Sequence, residues 1–151
     1  MIFIKPTSHQ YQICDPNSTD VRTGAKGFIE HIKELIEENN IEIIADEWSN
    51  DATVRWGKKS NMKKVAEDKH IPYIEIDMIP EMLNVSVKMA RHPKYFNKRH
   101  KYWYSKIERH LGKNILIICG NNHISTSSEY DERINFFDNF LREKGVQLTE
   151  L

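Results

Sequence analysis

Residues 114–125, NILIICGNNHIS, limit the fold more than any other stretch of this chain. Four apolar residues, Ile115 to Ile118, run straight into Cys119, Gly120, two asparagines and His123. A strand with no polar alternation buries both of its faces, and so belongs at the centre of a parallel sheet covered by helices on each side. Shorter strand signals recur along the chain. MIFIKP (1–6) is apolar and stopped by proline, IEIIAD (41–46) and IPYIEID (71–77) end in acids, and VQLTEL (146–151) is a weaker fifth.

Helical patterns fill the intervals. In 23–40, Phe28, Ile32, Leu35 and Ile36 share one face and Asn39-Asn40 end it. The segment 49–70 opens with the capping residues Ser49, Asn50 and Asp51, carries a thin stripe of Met62, Val65 and Ala66, and is weakened by Gly57. Phe96, Trp103, Ile107 and Leu111 line one side of 93–112, with Gly112 at the position of a C-terminal cap. Ile134, Phe137 and Leu141 do the same in 131–145, stopped by Gly145. The order β-α-β-α-β-α-α-β-α-β predicts one three-layer α/β domain over 1–151, a mostly parallel sheet of four to five strands with helices on both faces.

Composition narrows the partners. The 22 basic residues balance the 22 acidic ones, so no global field draws the chain to nucleic acid or an anionic membrane. Two local cationic stretches, 57–64 and 94–106, remain, and the second interleaves aromatics with bases as single-strand grooves do. A helix with a solvated face and a buried stripe explains it more simply, and nucleic-acid binding is not expected. No apolar run approaches the roughly 20 residues that span a bilayer, and the N-terminus lacks the features of a signal peptide. The cytoplasm is the expected location. Cys14 and Cys119 make no disulfide framework, and Cys119 reads as a small buried hydrophobe.

In open parallel sheets, ligands bind at the carboxyl ends of the strands. Ser8, His9 and Gln10 follow the first strand; Asp46, Glu47 and Trp48 the second; Asp77 ends the third; Asn121, Asn122 and His123 follow the fourth. Two histidines and three carboxylates thus share one edge, and Gln10, Asp46, Asp77 and Asn122 are expected to contact substrate there. Two chemistries use such a set. His9, Glu47 and His123 offer donors for a divalent Mn, Co or Zn ion that would make hydroxide near neutral pH. Without metal, His9 or Glu47 is the base for water and His123 the acid or oxyanion partner. Spacing alone leaves both open. Cys14 lacks a basic neighbour, the serines of 125–128 lack a nucleophile elbow, and GNNHISTSSE lacks the lysine and glycines of a phosphate loop.

PTSHQYQ (6–12) resembles the G-T-x-H signature, and CGNNH (119–123) the G-x-x-H signature, of the erythromycin esterase/ChaN-like superfamily, which includes the TraB, PrgY, GumN and TIKI proteins. IIADEWS (43–49) is similar to the segment that supplies a glutamate after the second strand. NKRHKYWYSKI (97–107) is similar to a later helix, matching it at Arg99 and Trp103. The resemblance implies a pocket of His9, Glu47, Arg99 and His123. Its members include proposed metal-dependent proteases and a metal-independent hydrolase of a macrocyclic lactone. Pro6 replaces the first glycine of the pattern, and His100 stands where a glutamate would follow the arginine. The chain is also much shorter than most members, which implies a minimal lid: a large substrate would lie in an open cleft or be enclosed by a second copy in a homo-oligomer.

The leading expectation is therefore a hydrolase acting on an ester, peptide or related bond of a small-molecule or peptide substrate, with Arg99 holding or neutralising an anionic part of it. The alternatives are a non-catalytic module for a small anionic or nucleotide-like ligand, read by histidine, arginine, asparagine and the aromatics Trp48, Tyr102 and Tyr104, and a partner protein whose interface is the aromatic helix.

Overall fold

The computed structural model describes residues 1–126, 128 and 136–151. Five strands form one sheet: β1 (Ile2–Thr7), β2 (Ile43–Asp46), β3 (Tyr73–Glu75), β4 (Ile115–Gly120) and β5 (Leu148–Glu150). Their order is β3-β2-β4-β1-β5, and every pairing is parallel. β4 lies between β1 and β2, with Ile115 opposite Ile2 on one side and Ile43 on the other. All six of its residues are buried, as an unalternating apolar run requires.

Strand alternation sorts the core into two layers. Ile2 and Ile4, Ile43 and Ala45, and Ile115, Ile117 and Cys119 face Trp103 and Ile107 of α7 (Phe96–Ile107) and Phe137, Phe140 and Leu141 of α8 (Phe137–Glu143). Phe3, Ile44, Leu116 and Ile118 face Ile32, Leu35 and Ile36 of α2 (Lys26–Glu38) and Met62, Val65 and Ala66 of α4 (Asn61–Lys69). The fold is a three-layer α/β sandwich. The connections running outward, β1 to β2 to β3, use the α2/α4 face, and those returning through β4 to β5 use the α7/α8 face. Right-handed crossovers demand that division. Consequently the loops leaving β1 and β2 turn to one face while the loop leaving β4 turns to the other, and crevices open on both sides of the β4 carboxyl end.

The helices differ from expectation at their ends. The segment 49–70 is two helices, α3 (Asn50–Trp56) and α4, because Gly57 adopts φ +63° and Ser60 recaps the chain by accepting from the Met62 N–H. Gly112 lacks the positive φ of a left-handed cap; α7 ends instead in a 3₁₀ turn over Glu108–His110. The N-terminal part of the helix expected at 131–145, with Ile134, lies outside the described residues, and its end at Gly145 (φ +72°) is as expected. Short helices α1 (Gln10–Ile13), α5 (Pro80–Leu83) and α6 (Val87–Ala90) lie in the loops after β1 and β3. Among the described residues no helix is long and apolar enough to cross a membrane.

Candidate active site

Glu47 is the hub of the strand-end edge. Its N–H continues the β2–β4 ladder to the Ile118 carbonyl at 2.8 Å, which carries the residue just past the last strand pair. The side chain is buried, and residues from three segments converge on it. Oε1 accepts from Arg99 Nη2 at 2.6 Å and lies 3.1 Å from His123 Nε2. Oε2 accepts from the Gly120 N–H at 2.6 Å and lies 3.7 Å from His9 Nε2. Burial works to raise the Glu47 pKa, but the imidazoles of His123 and His9 and the Arg99 guanidinium outweigh it. The carboxyl is held well below the usual carboxylate range.

Gly120 makes this convergence fit. Its backbone (φ −62°, ψ 145°) is one that any residue adopts, so the glycine is not there to turn the chain. A Cβ at this position would sit 2.7 Å from His9 Nε2 and 3.4 Å from Glu47 Oε2. The site needs the empty space rather than the conformational freedom.

The tautomers of the histidines follow from their partners. Gln12 Nε2 donates to Asp46 Oδ1 at 2.6 Å, so the Gln12 carbonyl oxygen is the atom turned toward His9 Nδ1, 2.7 Å away. His9 Nδ1 therefore carries the proton, and its Nε2 presents a lone pair beside Glu47. The His9 side chain is 57% exposed, so that lone pair is open to a substrate or a water. His123 is set the opposite way. A carboxylate only accepts, so His123 Nε2 donates to Glu47, and its Nδ1 accepts from His100 Nε2 at 2.8 Å. Burial lowers the His123 pKa against the pull of Glu47, in keeping with a neutral ring. Stacking on Phe96, with centroids 4.2 Å apart, fixes the plane of that ring.

Arg99 ties the second carboxylate in. Its Nε and Nη2 donate to Asp77 Oδ1 at 3.0 and 2.9 Å, and Trp103 Nε1 donates to the same oxygen at 3.1 Å. Burial alone would lower the arginine's pKa; Asp77 and Glu47 raise it instead. Asp46 points away from all of this. It is fully buried, and its carboxylate accepts from Gln12, from Ser60 Oγ at 2.6 Å and from Tyr73 Oη at 2.8 Å. With only neutral partners, burial prevails and pushes its pKa up to about 6.

These groups open onto a cleft of about 510 Å³. His9, Glu47, Asp77, Arg99, Asn122 and His123 line it, so six of the residues read from the strand ends and the resemblance come together. Gln10 does not: it is exposed on the first turn of α1, where Gln12, two residues further on, points inward. Asp46 does not line the cleft either, and stands behind Gln12 as a support. Gln12, Ser60, Tyr73 and His100 were not among the residues expected at the site. One of them had a signal: His100 falls within the apolar stripe of α7, as Arg99 does.

Among the described residues no group of three or more His, Cys, Asp or Glu side chains is arranged to hold a metal ion. The donor chemistry agrees. The Glu47 oxygens are engaged by Arg99, His123 and the Gly120 N–H, and His123 turns an N–H, not a lone pair, toward Glu47. As they stand, His9, Glu47 and His123 do not fit a divalent Mn, Co or Zn ion; the guanidinium holds the cation's place. No protein-family model matches the chain, and neither a curated protein nor a solved structure matches it significantly.

Proposed function

We propose that the chain is a metal-independent hydrolase, acting in the cytoplasm on an ester, peptide or related bond, and a divergent member of the erythromycin esterase/ChaN-like superfamily. The observation that carries this reading is the fixed tautomer of His9: an exposed Nε2 lone pair, held by Gln12 from behind, with an ionised carboxylate 3.7 Å away. That is the arrangement a general base for water needs.

Water bound at His9 Nε2 gives up its proton to that nitrogen while its oxygen forms a bond to the carbonyl carbon. The imidazolium is stabilised by Glu47, and the carbonyl electron pair moves onto oxygen. The amide groups of Asn121 and Asn122, on the wall of the same cleft, are the donors nearest in kind to an oxyanion site. Collapse of the intermediate breaks the bond to the leaving group, which takes the proton back from His9. In this scheme His123 does not titrate. It holds Glu47 in place, as Arg99 does from the other side.

The test is turnover of a panel of p-nitrophenyl esters and chromogenic peptides. His9→Ala lowers kcat by about 10²–10⁴-fold, with a melting temperature close to wild type because the side chain is largely exposed. Elemental analysis finds no stoichiometric metal, and chelators leave the rate unchanged. Unchanged turnover in His9→Ala would sink the reading.

A further inference from the structure

The charges at the floor of the cleft are all committed to one another. Arg99 is bonded to both Glu47 and Asp77, and no other carboxylate lines the cleft among the described residues. A charged substrate group finds no free partner there. The rim is different. Arg91, just past α6, lines the cleft, is exposed, and has no side-chain partner among the described residues. Arg55, in the last turn of α3, also lines it, and only its Nε is engaged, by Asp51 at 2.7 Å. The same cleft is lined by the apolar Trp48, Pro80 and Val87 and by Trp56, which stands 49% exposed. A Trp left that open, beside one unpaired cation, a second engaged only through its Nε, and a potential base, has the composition of a surface made for an amphipathic anion.

We infer that the cleft selects acyl compounds that carry a carboxylate on an aromatic or alkyl body, the body lying on Trp56 and the carboxylate meeting Arg91 and Arg55. The inference rests on the cleft being the substrate site proposed above. It assigns recognition of charge to the rim and leaves Arg99 to hold the floor together. The scissile carbonyl itself is then neutral, which suits a floor where Glu47 and Asp77 outnumber Arg99 until His9 gains a proton.

Binding and turnover test it separately, on the full chain. Calorimetric titration with 3-phenylpropanoate and with 3-phenylpropanamide, at low salt, compares the same body with and without the charge. The carboxylate binds about tenfold or more tightly, and the advantage shrinks as salt rises. Arg91→Gln reduces that ratio severalfold without moving the melting temperature, and Arg91→Gln/Arg55→Gln removes it. In the kinetic arm, mono-p-nitrophenyl glutarate exceeds p-nitrophenyl butyrate in kcat/KM by a similar factor, through KM. Equal binding of acid and amide, or a preference untouched by the double variant, overturns the inference. Turnover of both esters at equal kcat/KM overturns it while leaving hydrolysis standing. A charge preference in binding with neither ester turned over supports the anion site and defeats the hydrolase reading.

Discussion

Asp46 and Glu47 are adjacent in the chain and both buried, yet the structure treats them oppositely. Asp46 faces the α2/α4 layer and is met by an amide and two hydroxyls; Glu47 faces the cleft and is met by a guanidinium, a backbone N–H and imidazoles. Burial penalises both charges. Glu47 is met by the imidazoles of His123 and His9 and by the Arg99 guanidinium, so its pKa falls, while that of Asp46, met only by an amide and two hydroxyls, rises to about 6. The difference teaches that ionisation at this edge is set by the charge of the partner, not by depth. It also divides the labour: Asp46 aligns Gln12, and through it the His9 tautomer, while Glu47 sits beside His9 Nε2.

Breaking the charged side has the largest expected effect. Glu47→Gln leaves Arg99 with Asp77 alone and turns an amide toward one of its donors. Removing one partner of a buried pair costs about 3–5 kcal/mol, read as a large drop in denaturation midpoint, together with loss of turnover. The neutral side is sharpened by Asp46→Asn. In the wild type a carboxyl raised above its unfolded value binds its proton more tightly in the folded chain. Its contribution to stability is therefore complete below about pH 4 and is lost as pH rises through about 6. The variant lacks that loss, so its stability relative to wild type climbs by about 3 kcal/mol between those limits, measured by urea melts at several pH values. A flat difference would mean that Asp46 is not raised. Glu47 has the opposite sign: its contribution is present above its unfolded pKa and disappears on acidification. The smallest effect on stability is expected from Gly120→Ala. The new methyl pushes the exposed His9 ring off Gln12 rather than disturbing the core. Stability changes little, while kcat falls by up to about 10²-fold; an unchanged kcat would show that His9 need not sit on Gly120.

The fold was legible because its strongest signals were long and periodic. The unbroken run at 115–119 located the central strand, and the stripes of 23–40 and 93–112 located covering helices on each face. The split at Gly57 was half visible, since a glycine can either cap or be tolerated and only the Ser60 cap decides. In the site, His9, Glu47 and His123 could be read because they follow apolar runs, and Arg99 from the resemblance. Gln12 could not, because a four-residue helix has no period to show which side is inward, and Gln10 was named in its place. Ser60 and Tyr73 were hidden for another reason: their partner, Asp46, reaches them only across the fold. His100 was noted only as a missing glutamate. The chain instead supplies an N–H to the back of His123 from that position.

The place of β4 bears on how the molecule comes into being. β1 pairs only with β4 and β5, and β2 meets β1's side of the sheet only through β4. Until residues 115–120 join, the strands can form only two separate pairs, β1 with β5 and β2 with β3, and two strands are too few to hold in water. Pairings of such long sequence separation are slow to form. The same insertion brings Gly120 and His123 under His9 and Glu47. The event that completes the core thus also completes the cluster of His9, Glu47, Gly120 and His123, and a chain folded only in part does not hold that cleft.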